Sequence, residues 1–178
     1  DFAILLRTVR RSSGPIAAAL KERSIPYVVA GMANLFEAAE VQAAQALFLS
    51  VAGRLSDDEV RGAWLAADVG LTSADLDRGM VFLEGERDWD ERQQWAAYNL
   101  QRTLLGFLAA VGFREEKVAP LEDRATRGEV VMYNLGRFSQ AISDFEQIHF
   151  QSDPRSKYET FVEWLQHQAP DIYEEGQN

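Results

Sequence analysis

Residues 2–36 constrain this chain more than any other stretch. Phe2-Ala3-Ile4-Leu5-Leu6 is an unbroken apolar run, the pattern of a strand buried on both faces; a half-exposed strand would alternate. Arg7-Thr8 ends it. After Arg10-Arg11-Ser12-Ser13, Gly14-Pro15 reads as a helix start, because proline's fixed φ suits the first helical position and its missing N–H would be unpaired there anyway. Ile16, Ala19, Leu20 and Arg23 then fall on one side. Ile25-Pro26-Tyr27-Val28-Val29 is β-rich, with its proline at the strand entrance where no ladder bond is lost. The expectation is a β-α-β unit of a parallel sheet.

From there on the periodicity is helical. Residues 37–52 form an alanine-rich helix with Val41, Ala44, Phe48 and Val51 on one face, stopped by Gly53. Ser56 and Glu59 stand at the spacing at which each side chain bonds the other's backbone N–H, so Ser56-Asp57-Asp58-Glu59 opens a helix carrying Val60 and Trp64. An acidic magnesium motif would follow an apolar strand, and here Arg54-Leu55 precedes. Asp68-Val69-Gly70-Leu71-Thr72-Ser73 is a glycine turn into the next helix, with Thr72 and Asp75 at cap spacing. The charge-dense residues 84–91 read as a solvated loop leading into a long helix at 89–111, with Trp95, Tyr98, Arg102, Leu105 and Leu108 as its stripe and Gly112 as its stop. Residues 114–128 read as a polar linker containing Pro120, with Arg124 and Arg127 as a second basic spot. Val131, Leu135, Phe138, Ile142 and Phe145, spaced four, three, four and three, mark a packed helix over 129–150. Asp153-Pro154 opens a last helix with Tyr158, Phe161, Val162 and Leu165 as its stripe.

Composition removes several function classes. With no cysteine among 178 residues, disulfides, cysteine zinc sites, iron–sulfur clusters and a thiol nucleophile are excluded. His149 and His167 fall on different predicted helices without a shared metal-ligand spacing, so no metal site is expected. None of Lys21, Lys117 and Lys157 follows a glycine, so no phosphate-binding loop is present. Neither a zincin helix, a Gly-x-Ser-x-Gly elbow nor a dinucleotide fingerprint occurs; no catalytic residue and no cofactor-binding residue is assigned. No apolar run approaches the roughly 20 residues of a membrane span and no leader pattern is seen, so the expected compartment is the cytoplasm and no membrane partner is expected. The net charge of -10 is unevenly spread. Residues 1–50 carry five basic and four acidic side chains, net +1, and the remainder carries 13 against 24, net -11. Phosphate binding usually leaves a basic footprint, so this chain alone should bind nucleic acid weakly.

The run Leu6-Arg7-Thr8, Ser12, Ile25-Pro26-Tyr27, Gly31, Leu35-Phe36 and Glu40-Val41 resembles the UvrD/Rep family of superfamily 1 ATP-dependent DNA helicases, at the segment of the second RecA-like motor domain that precedes its helical insertion. Val9 stands where the family usually has asparagine and Ser13 where it usually has arginine. A second likeness covers Asn134-Leu135-Gly136-Arg137-Phe138-Ser139 through Ile142 and Asp144-Phe145-Glu146, similar to the closing part of the inserted subdomain in some UvrD-like proteins. Val69-Gly70-Leu71 is similar to a degraded form of the Gly-Ile-Gly turn with which that subdomain grips duplex DNA.

The resemblance implies a mainly α chain with a small β part: a partial RecA-like α/β segment at 1–52, then an all-helical inserted subdomain at 53–178. It implies single-stranded DNA, and the single/double-strand junction, as partners of the intact protein. ATP and magnesium would be held by parts outside this chain. Arg7, Thr8 and Ser12 would face DNA at the strand end, with Arg10 and Arg11 adding phosphate contacts; the same residues also read as a solvated turn and helix cap. Gly70 and Thr72 admit two readings as well, a DNA-gripping turn or a plain helix hairpin beside Asp68, Asp75 and Asp77. An acidic helical protein-interaction module and part of a RecB-type helicase–nuclease remain as alternatives. Asp1 running straight into a buried-type strand, and Asn178 following the acidic Glu174-Glu175-Gly176, read as the ends of an internal fragment.

Overall fold

The computed structural model describes residues 4, 9–23, 25, 35–87, 99–119, 127–149 and 154–167. Seven α-helices lie among them: α1 (Val9–Glu22), α2 (Ala39–Val51), α3 (Asp57–Ala66), α4 (Ser73–Arg87), α5 (Leu100–Ala110), α6 (Arg127–Ile148) and α7 (Pro154–His167), with single 3-10 turns at Leu35–Glu37 and Glu115–Lys117. The described residues include no strand. Of the expected strands, only Ile4 and Ile25 are described, both exposed; the rest lie outside the described residues. The chain is therefore mainly α.

The middle of the bundle is α2. Val41, Ala44, Leu47, Phe48 and Val51 are buried along it, and it packs on α3, α6 and α7, and less extensively on α4 and α5. Phe48 meets Phe161 edge-on at 4.8 Å, with Phe138 at 6.1 Å and Tyr158 at 6.3 Å, within the range where such aromatic pairs are favourable. The expected division after Ala52 falls between α2 and α3, which contribute to one apolar core here. Among the described residues, none from α1 joins that core.

Helix α4 lies against α5 through glycines on both sides. A Cβ at Gly79 would come 2.5 Å from the Phe107 ring, and one at Gly106 would come 2.4 Å from the Phe82 ring. Each helix thus seats an aromatic ring where its neighbour has no side chain.

Three sequence expectations are corrected. Helix α1 begins at Val9, so Pro15 lies inside it instead of opening it; a glycine precedes the proline, which removes the contact between the ring and a preceding Cβ but not the crowding of the Arg11 carbonyl or the missing N–H. Arg10, Arg11 and Ser12 accordingly occupy a first helical turn, not a turn between strand and helix. Residues 84–87 continue α4, and Glu86 is buried, where a solvated loop was expected. Helix α5 starts after Asn99, which has an extended backbone and accepts a hydrogen bond from the Arg102 N–H at 3.1 Å. That cap resets the helical phase. Leu100, Leu104, Phe107 and Val111 face the core, while Arg102 and Leu105 face outward. Trp89, Trp95 and Tyr98 lie outside the described residues.

The remaining helices follow their patterns. The expected stripes of the 129–150 and final helices are buried in α6 and α7, and Gly53 and Gly112 end their helices at φ +73° and +63°.

Candidate functional site

The α3–α4 turn carries two of the residues expected to contact DNA, Gly70 and Thr72. Their surroundings follow from local chemistry. The Thr72 N–H and hydroxyl both donate to Asp75 Oδ2, at 2.9 and 2.7 Å, and the Asp75 N–H donates back to Thr72 Oγ1 at 3.2 Å. This is the reciprocal cap that the spacing predicts. The Asp75 carboxyl is held well below its usual range, first by the Thr72 backbone N–H, then by the Thr72 hydroxyl, then by Arg78 and the nearby Lys117 charge. Arg78 also donates to the carbonyls of Ala74 and Ala110, each at 3.3 Å, joining the start of α4 to the end of α5.

The same logic repeats at α3. The Ser56 N–H and hydroxyl donate to Glu59 Oε2 at 2.8 and 2.7 Å, and these two bonds lower the Glu59 pKa; the Glu59 N–H donates back to Ser56 Oγ at 3.4 Å. A helix N-terminus binds phosphate through free N–H groups, and at both of these helices a carboxylate of the chain already takes that place. A phosphate arriving at Thr72 has to displace Asp75.

Gly70 has φ +75°, and a Cβ there would come 2.0 Å from the Lys117 carbonyl oxygen. Its backbone is pressed against the 3-10 turn. Arg127, from the expected second basic spot, donates to Asp68 Oδ2 at 3.1 Å and to the carbonyls of Ala67 at 3.1 Å and Ala119 at 3.4 Å. Of the first-segment candidates, Arg10, Arg11 and Ser12 lie in the first turn of α1; Arg7 and Thr8, like Arg124, lie outside the described residues.

Sequence reading missed a buried polar chain. The Thr103 hydroxyl donates to Glu86 Oε2 at 2.7 Å, which spends its only proton, so the Tyr158 hydroxyl in contact with Thr103 Oγ1 donates to it. All three residues are buried, and they link α4, α5 and α7. Tyr158 reads as one more apolar stripe member in the sequence; the signal left unused is a threonine at a core-facing helical position. Beside this chain lies a groove of about 230 Å³ lined by Ser50, Ala52, Gly53, Arg87, Tyr158 and Glu159. Arg87 donates to Ser50 Oγ and Asp57 Oδ1, each at 2.5 Å.

The ATP and magnesium implied by the resemblance do not fit the groove or the helix starts. Arg87 is already paired with a carboxylate, Glu159 adds a second negative group, and Glu59 and Asp75 place a carboxylate at the start of α3 and of α4, each accepting from the backbone N–H just before its helix, that of Ser56 or Thr72. Among the described residues no three His, Asp or Glu side chains gather as metal ligands, and no helix is long and apolar enough to cross a membrane. His149 stacks on Phe145 at 4.2 Å, and His167 is the last residue of α7.

Arginines at this surface are largely paired within the bundle: Arg61 with Asp77, Arg78 with Asp75, Arg87 with Asp57, Arg127 with Asp68 and Arg54 with Glu163. In comparisons with known proteins, no family model, no curated protein and no solved structure matches the chain.

Proposed function

We propose that this chain is part of a UvrD/Rep-like ATP-dependent DNA helicase, with residues 1–52 a partial RecA-like motor segment and residues 53–178 a helical subdomain inserted into the motor. One observation carries the reading: the run from Leu6-Arg7-Thr8 to Glu40-Val41, with Ser12, Ile25-Pro26-Tyr27, Gly31 and Leu35-Phe36 in the family's order. The start of α2 at Ala39, which puts Glu40 and Val41 in a first helical turn, supports it. In the intact cytoplasmic protein, ATP hydrolysis by parts outside this chain drives translocation on single-stranded DNA and unwinding at the duplex junction. Arg7, Thr8, Arg10, Arg11 and Ser12 lie along the single strand, and Gly70 and Thr72 approach the duplex.

The test is ATP hydrolysis by the full-length protein, with and without single-stranded DNA. Stimulation by DNA is expected, and its absence would overturn the reading. Replacing Arg10 and Arg11 together by alanine is expected to flatten the salt dependence of single-strand binding by about two phosphate contacts; an unchanged slope removes these two residues from the DNA track.

The acidic surface favours a second reading. With net charge -11 over residues 51–178 and five arginines paired to carboxylates, an acidic protein-interaction module also fits. It predicts no DNA binding by the intact protein even at low salt, where surface electrostatics are strongest.

A further inference from the structure

Asp68 is the only non-glycine residue among those described with a left-handed backbone, at φ 51°. Glycine meets that geometry without steric cost, whereas a side chain pays for it. The carboxylate here has a task that glycine could not perform. It accepts a hydrogen bond from Arg127 Nη1, and the two side chains are unequally exposed, Asp68 at 71% and Arg127 at 15%. A largely buried guanidinium without its counter-charge is strongly unfavourable. Among the described residues, the other groups to which Arg127 donates are two backbone carbonyls, including that of Ala67 at the end of α3, where a cation also complements the helix dipole.

Close backbone contacts flank this ion pair on both sides. Gly70 lies against the Lys117 carbonyl, and Gly128, next to Arg127, lies so near the Glu115 carbonyl that a Cβ would come 2.7 Å from its oxygen. The turn and the start of α6 therefore both rest on the 3-10 turn Glu115–Lys117. Neither flanking helix depends on that arrangement for its own end: the Ala67 N–H donates to the Ala63 carbonyl, and α4 keeps the Thr72–Asp75 cap.

We propose that Asp68 and Arg127 form a salt-sensitive latch that, together with the buried Val69 and Leu71 side chains, holds the α3–α4 turn closed on the 3-10 turn, so that breaking the pair makes local opening of residues 68–71 more frequent while α3 and α4 stay folded. The exposed carboxylate is the half that ions in solution reach, and Arg127 is the anchored half. This latch would set how freely the turn bearing Gly70 and Thr72 moves, whatever that turn binds.

Amide hydrogen exchange on the 178-residue chain tests it, using Asp68→Asn, which removes the charge but tolerates the left-handed backbone, and Asp68→Gly, which relaxes the backbone as well. Exchange across residues 68–71 is expected to quicken about two- to five-fold in both variants, the scale of losing an ion pair with one exposed partner from a local opening equilibrium. The interior of α4 is expected to be unaffected. The unaltered chain should show the same local quickening as salt rises, and Asp68→Asn should not. If Asp68→Gly exchanges no faster than the unaltered chain, turn chemistry alone holds the segment and the latch is wrong. Should either variant also lose protection throughout α4, the salt series on the unaltered chain decides, and a flat response overturns the proposal.

Discussion

Single residues at the helix ends set measurable amounts of stability. Gly70→Ala forces a side chain into a left-handed backbone and against the Lys117 carbonyl, and should cost on the order of 2–4 kcal/mol in urea denaturation. Gly53→Ala meets the same backbone penalty in open space and should cost only about 1 kcal/mol. The capping carboxylates give a pH signature. Asp75 and Glu59 have folded pKa values lowered from 3.8 and 4.5, so the stability they contribute is complete above those values and is lost as pH falls through the lowered ones. Asp75→Asn should shrink the acid-side fall in urea midpoint, and an unaltered pH profile would show that the cap contributes nothing. Both caps were legible in sequence because two residues at a fixed offset determine them. The burial of Glu86 was not, because its partner Thr103 lies 17 residues away on another helix, and Tyr158, which meets Thr103, lies on a third.

At the scale of whole helices, legibility tracked how unbroken the periodicity is. Helices α6 and α7 have uninterrupted apolar spacing, and their stripes are the buried ones. Helix α5 was misphased because Trp95 and Tyr98 extended the pattern across Asn99, whose side chain caps the start of the helix. A contact from outside the helix adds to that start: Glu146 on α6 accepts the Leu100 N–H at 2.7 Å, supplying one of the partners that a helix start lacks. Glu146→Ala should destabilise by about 1.5–3 kcal/mol, the range for hydrogen bonds to charged groups, with exchange quickening first at the beginning of α5. The central helix has the larger stake. Phe48 is fully buried among Phe138, Tyr158 and Phe161, and Phe48→Ala should cost about 3–5 kcal/mol, read as a lowered urea midpoint.

For the molecule as a whole, the mainly helical character was legible, while the route by which the helices share a core was not. That α2 sits among α3, α6 and α7 depends on contacts between segments about 100 residues apart, such as Glu40 with Asn134 at 2.6 Å, and spacing within one helix carries no trace of them. Charge shows the opposite relation: the acidic balance is plain in composition, and the pairing of Arg61, Arg78, Arg87 and Arg127 with aspartates makes the surface still less attractive to phosphate. The notched contact between α4 and α5 bears on ancestry. Since Gly79 admits the ring of Phe107 and Gly106 admits that of Phe82, neither member of a pair can drift alone. Descendants of this sequence should change glycine and ring together, a larger residue in the notch arriving with a smaller one opposite, and that paired inheritance would mark kinship after the rest of the surface had diverged.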